Sequence, residues 1–128
     1  MFYGENMVSL KGFIFVALFL FSGFAHSEDD GNELLNSCIS FVKYSDGEKL
    51  QSGDEIGALI CNQYILGFKD SLILSGDTQN KVCVPGEAMS DQVARVVVKH
   101  LKLSPEILHK KRGVVLLYAL EKGFPCTK

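Results

Sequence analysis

The sequence predicts an all-α protein, a small four-helix domain of two αα-hairpins stapled by disulfides. Three observations predict it. Apolar residues recur at helical spacing in four successive stretches, and turn and capping residues separate those stretches. Four cysteines fall in a segment of about 100 residues that follows an export-type leader.

The leader is residues 1–27 of the 128. After a polar start and one cation, Lys11, an almost unbroken apolar run extends from Phe13 to Phe21, followed by Ser22-Gly23-Phe24. Ala25 and Ser27 then put small residues at the −3 and −1 positions of a signal-peptidase site, so cleavage is expected after Ser27. The alternative, a membrane anchor, needs ~20 apolar residues, more than this run holds. No cysteine follows the cut, so no lipid anchor is expected. Met7 is an alternative start that shortens the polar leader without changing this reading. Residues 28–128 then form one small domain, with no membrane attachment once the leader is gone. They keep 12 of the 13 Lys and Arg and 14 of the 15 Asp and Glu, for a net charge of −2. That balance shows no basic stripe of the kind that binds nucleic acid. No linker, repeat or low-complexity segment divides the domain.

The first helix is expected over "NELLNSCISFVKY", where Leu34, Leu35, Cys38, Ile39 and Val42 form one stripe and "SDG" ends it. Ser52 and Glu55 have capping-box spacing and open the second. Its marks are Ile56, Leu59, Ile60, Tyr64, Gly67 and Phe68, and it runs out near "LSGD", with Gly76 suited to the C′ position. "TQNKVCVPGEAMS" is a loop, and Ser90 is the expected N-cap of the third helix, whose stripe is Val93, Val96, Val97, His100 and Leu101. In "LSPE", Ser104 caps and Pro105 opens the fourth helix. "GVVLLYAL" is apolar on nearly every side, which predicts a central position for that helix; Gly123 and Pro125 end it. The β-branched run Val96-Val97-Val98 would suit a strand, but the caps and the helical spacing outweigh it.

All four cysteines, Cys38, Cys61, Cys83 and Cys126, lie after the leader. An even count in a small exported chain reads as disulfides, and no pair has the short spacing of a zinc site. Short connections make neighbouring helices antiparallel. Cys38, near the end of the first helix, then lies opposite Cys61 in the first half of the second. Cys83, before the third, lies beside Cys126, after the fourth. Of the three possible pairings we therefore expect Cys38–Cys61 and Cys83–Cys126. The second would anchor a chain end that otherwise frays.

Catalytic candidates are few. His100 lies on the apolar stripe of the third helix and reads as a core or boundary residue. His109, in "HKKR", reads as part of an exposed face, and the helix break between the two histidines argues against a metal pair. No nucleophile motif, G-x-G-x-x-G or P-loop occurs, so neither catalysis nor a cofactor is expected. Gly67 inside a helix costs about 1 kcal/mol relative to alanine and is read as a close helix contact, with a ligand contact as the alternative. Lys110 to Arg112 read as a wetted helix face, alternatively as an electrostatic rim for an acidic partner.

The order "LNSC" (Leu35–Cys38), "CNQYILGFKD" (Cys61–Asp70), "VCVP" (Val82–Pro85), "LSPE" and "GFPC" (Gly123–Cys126) resembles the type VI secretion immunity family. These are small periplasmic helical proteins related to the amidase-immunity and resistance-associated proteins of Gram-negative bacteria. The likeness spans nearly the whole mature chain and rests on the order and spacing of short elements. It implies a periplasmic protein, often a homodimer, that binds and blocks a cell-wall amidase effector. Such an effector cuts peptidoglycan peptides with a cysteine and a histidine, and the inhibitor occludes its groove. The loop residues Asp77, Thr78, Gln79 and Asn80 are the expected contacts, as loops are in the family; a solvated connector is the alternative. Asn62-Gln63 departs from the family pattern, which has a small residue before the tyrosine, so the surface of the second helix is left open. A second functional class shares the export signal, size and disulfides: a small periplasmic helical stress or acid chaperone. With only two histidines after the leader, it would have few groups to titrate between about pH 5 and 8.

Overall fold

Asp30 starts the first helix. Its carboxylate accepts hydrogen bonds from the backbone N–H groups of Asn32 (2.9 Å) and Glu33 (3.1 Å), two of the donors that a helix start leaves without intrahelical partners. The computed structural model describes residues 29–75 and 81–127. Helix α1 runs Gly31–Ser45, α2 Asp54–Leu74, α3 Ser90–Leu103 and α4 Arg112–Gly123, with a 3₁₀ turn at Pro105–Ile107. Among the described residues there is no strand, only two isolated bridges. The all-α, four-helix expectation holds. The leader, and with it the expected cleavage, lies outside the described residues.

The pairing of helices is set by small residues. Ser37, Cys38 and Ser40 of α1 are buried, and a Cβ placed on Gly57 of α2 would sit 3.6 Å from Ser37 Cα and 3.7 Å from Ser40 Oγ. That close approach allows the Cys38–Cys61 disulfide, with Cα atoms 5.0 Å apart. Ser40 stays satisfied in the contact by donating to the Asn36 carbonyl. The buried face of α1 is therefore Leu34, Ser37, Cys38 and Phe41, rotated from the expected stripe, with Leu35 and Val42 half-buried at its edge. Cys38 sits at mid-helix rather than near the end.

Three expected caps are replaced. Ser52 forms no capping box: Gly53, at φ 100°, immediately precedes α2 and makes no side-chain cap bond. Ser90 is the first helical residue of α3, and the backbone N–H of Met89 is capped by the Gln92 amide oxygen at 3.0 Å. The Ser104 side chain makes no cap bond; its hydroxyl, itself buried, lies 3.1 Å from that of half-buried Tyr118.

The expected fourth helix is also broken. Pro105 opens only the 3₁₀ turn, and Lys110 and Lys111, just before α4, run as a non-helical strap beside the start of the domain. Gly31 N–H donates to the Lys110 carbonyl (2.9 Å) and Arg112 N–H to the Asp29 carbonyl (3.2 Å). The strap takes backbone groups that a continuous helix would have used. Nor is α4 the central element: α1 packs on all three other helices. The core gathers Leu34, Ile65, Leu101, Leu116 and Leu120 from all four.

At the far end, Cys83–Cys126 forms as expected, with Cα atoms 4.9 Å apart. Cys83 N–H donates to the Phe124 carbonyl at 2.8 Å, and Val82 bridges Pro125. The chain end is held by both sulfur and backbone.

Candidate protein-binding surface

The loop residues Asp77, Thr78, Gln79 and Asn80 lie outside the described residues, and so does Gly76. The histidines stand apart. His100 is half-buried on α3 beside Gly123, and His109 is exposed in the turn before α4. The basic run splits in two. Lys110 and Lys111 face solvent, whereas Arg112 pairs with Asp29 and stands 4.9 Å over the Tyr64 ring. Burial pushes the Tyr64 hydroxyl up, partly opposed by Arg112. Arg112 thus closes the strap onto α2 and is not part of a free rim.

The distinctive surface belongs to α2. Its buried side is Ala58, Cys61 and Ile65, flanked by Tyr64, Phe68 and Leu72. Most of the apolar residues expected to face the core face water instead. Ile56, Leu59, Ile73 and Leu74 are 65%, 59%, 76% and 85% exposed, with Ile60 and Leu66 also open. They fall on two stripes of a helix about 31 Å long. Leu59, Leu66 and Ile73 repeat every seventh residue; Ile56, Ile60, Gly67 and Leu74 lie beside them. Gly67 does not serve a close contact within the chain, because a Cβ there would have no neighbour within 4 Å. Two apolar stripes of this kind, with exposed Gln63 and Asp70 between them, differ from single exposed leucines and mark an interaction surface.

Two cavities lie along the Leu59–Leu66–Ile73 stripe. One, of about 370 Å³, opens between α1 and the start of α2, lined by Phe41, Tyr44, Glu55, Ala58, Leu59 and Asn62. The other, of about 490 Å³, lies between Leu66 and Ile73 of α2 and the Val82–Val84 segment. The amide oxygen of Asn62 is buried and accepts no hydrogen bond. Such an orphan costs about 1–3 kcal/mol and calls for a reason. Asn62 was visible in the sequence only as a departure from a pattern. The apolar excess of α2 was a stronger signal, since it carries more large apolar residues than one buried face can take.

Both disulfides are formed and no cysteine is free. Among the described residues no group of three His, Cys, Asp or Glu could hold a metal ion, and no helix is long and apolar enough to cross a membrane. The family model described as Rap1a immunity proteins, a type VI secretion immunity family, matches residues 30–126, which includes all four helices and all four cysteines. No curated protein and no solved structure matched.

Proposed function

Because this chain belongs to the Rap1a immunity protein family, we propose that it protects its cell by binding and blocking a peptidoglycan-cleaving amidase effector in the periplasm. The family match over residues 30–126 carries this reading. A type VI immunity protein acts by binding its cognate effector. The amidase target and the periplasmic location are the finer reading, supported by the export-type leader and by two disulfides, which persist in oxidising compartments. Inhibition is steric. The Leu59, Leu66 and Ile73 stripe of α2, and the loop at 76–80 that follows it in sequence, supply the contact, and no chemistry of the inhibitor's own is required. We place the cut after Ser27.

The test is calorimetry of the exported protein against each cell-wall amidase encoded beside its gene. A nanomolar complex that silences hydrolysis is expected, with Asp77→Ala and Asn80→Ala weakening it without unfolding the domain. Absence of heat with every such amidase overturns the reading.

We propose further that two copies pair through the Ile56, Ile60, Gly67 and Leu74 stripe. The missing side chain of Gly67 lets a second helix approach closely where nothing in the same chain does. Sedimentation should return twice the chain mass, and Gly67→Arg a monomer of unchanged helicity. A wild-type monomer at high micromolar concentration removes this pairing. The acid-chaperone alternative also expects exposed apolar surface, but family membership favours immunity. Suppression of client aggregation at about pH 3 would decide for the chaperone.

A further inference from the structure

We propose that the Cys83–Cys126 disulfide is a redox latch on the effector-binding face of α2. Closed, it completes one wall of the cavity beside Leu66 and Ile73; opened, it releases that wall while the helices stay folded. The proposal rests on the immunity reading for what binds there, and on the fold alone for the latch.

The cavity, of about 490 Å³, has two unlike walls. Leu66, Leu72 and Ile73 stand on α2, a helix tied to α1 by the buried Cys38–Cys61 bond. Val82, Cys83, Val84 and Gly86 form the other wall, in a segment that is not helical. Backbone of this kind has few contacts to keep it in place. Val82 is buried at one end, and the Lys69 ammonium donates to the Ala88 carbonyl (2.9 Å) past the other. Between them the segment leans on the run that follows α4. Cys83 N–H donates to the Phe124 carbonyl (2.8 Å), and Cys126 N–H to the Lys81 carbonyl (3.3 Å). Two hydrogen bonds between short extended runs are marginal in water. The sulfur bond is what fixes the wall, holding the two Cα atoms 4.9 Å apart across a sequence separation of 43.

Both cysteines of this pair are exposed, so exchange reaches them without unfolding, whereas fully buried Cys38 and Cys61 are spared. Opening takes a protein dithiol reductant. One of its thiolates attacks a sulfur of the pair and expels the other cysteine as a thiolate; its second thiol then resolves the mixed disulfide. Two electrons and two protons pass to Cys83 and Cys126, and the reductant leaves as its own disulfide. A protein disulfide oxidant closes the latch by the reverse exchange. In a reducing compartment the wall is loose, and the binding face is completed on arrival in an oxidising one. A partner that meets the open form must order the wall as it binds, which lowers affinity.

The test opens the latch in the exported protein with dithiothreitol under native conditions. Alkylation and mass mapping of a parallel sample confirm that Cys83 and Cys126 alone are labelled. Amide hydrogen exchange then reads the wall. The Cys83, Ala88 and Cys126 amides, each hydrogen-bonded in the closed form, should exchange about tenfold faster or more, with α1 and α3 still protected. The double variant Cys83→Ala, Cys126→Ala gives the open form without reductant. Unchanged exchange at Ala88 and its neighbours overturns the latch, as does loss of protection throughout the domain in either open form. In a second arm, both open forms should bind the amidase about tenfold more weakly than the closed protein, and reoxidation of the reduced chain should restore full affinity. A closed protein that binds no tighter than the open forms removes the latch and leaves immunity standing. No complex with any amidase removes immunity, and hydrogen exchange still decides whether the disulfide holds the cavity wall.

Discussion

Three glycines carry three different consequences. Gly123 closes α4 against α3, where a Cβ would overlap the Val96 side chain and come within 3.6 Å of His100. Gly31 lies under the strap, where a Cβ would come within 2.8 Å of the Leu108 carbonyl oxygen. Gly67 has open space above it and pays only the helix-propensity penalty. Opposite outcomes for the same substitution follow. Gly123→Ala should lower the unfolding free energy by about 1–3 kcal/mol, because Val96 must leave its place in a packed interface. Gly67→Ala should raise that of the dilute, separated chain by about 0.5–1 kcal/mol. Urea midpoints at unchanged m-value read both. A destabilising Gly67→Ala would show that this glycine serves the chain's own fold.

At the scale of elements, the two disulfides differ in access though both staple helix ends or faces. Cys38 and Cys61 are fully buried between α1 and α2, whereas Cys83 and Cys126 are exposed between the α3 approach and the chain end. Thiol–disulfide exchange needs a thiolate to reach sulfur. Mild reductant under native conditions should therefore open Cys83–Cys126 first. Alkylation and peptide mass mapping should find two labelled cysteines, both from that pair, with Cys38–Cys61 yielding only on unfolding. Simultaneous labelling of all four would show that α1 and α2 separate readily. Each closed loop is worth about 3–4 kcal/mol in the chain-entropy account, so the native state after mild reduction should be weakened but retained.

For the whole molecule, charge sets an acid limit. The Asp30 carboxyl is held below the usual range first by the Glu33 N–H, then by the Asn32 side chain. Asp46, at the end of α1, is held down by the hydrogen bond from Arg95 of α3, whose second guanidinium nitrogen lies 2.6 Å from it. Both pKa values are depressed in the folded state. Their contribution is complete above the ordinary carboxylate pKa and is lost as pH falls through the folded values. The melting temperature should stay flat from about pH 8 to pH 5 and fall below about pH 4. Asp46→Asn should shallow that fall and remove most of the salt sensitivity of the Arg95 contact. A melting temperature that declined between pH 8 and 6 would show that these two carboxylates do not set the acid limit.

Much of this fold is written locally. Helical spacing, the breaks at "SDG" and Pro125, and four cysteines in a short chain determined four helices and both disulfides, because periodicity and loop geometry act over neighbouring residues. The order of short motifs determined the family. What tertiary structure alone decided was orientation. Small residues Ser37, Ser40 and Gly57 drew α1 and α2 together on a face that hydrophobicity would not select, and this turned Ile56, Leu59 and Ile73 outward. Pairing of residues 29–31 with 110–112 broke the fourth helix, although Pro105 is a sound helix start by local rules. Close approach and strap pairing are contacts between distant parts of the chain. No window of sequence contains both partners, and those contacts exposed the α2 stripes and shaped the cavity beside them.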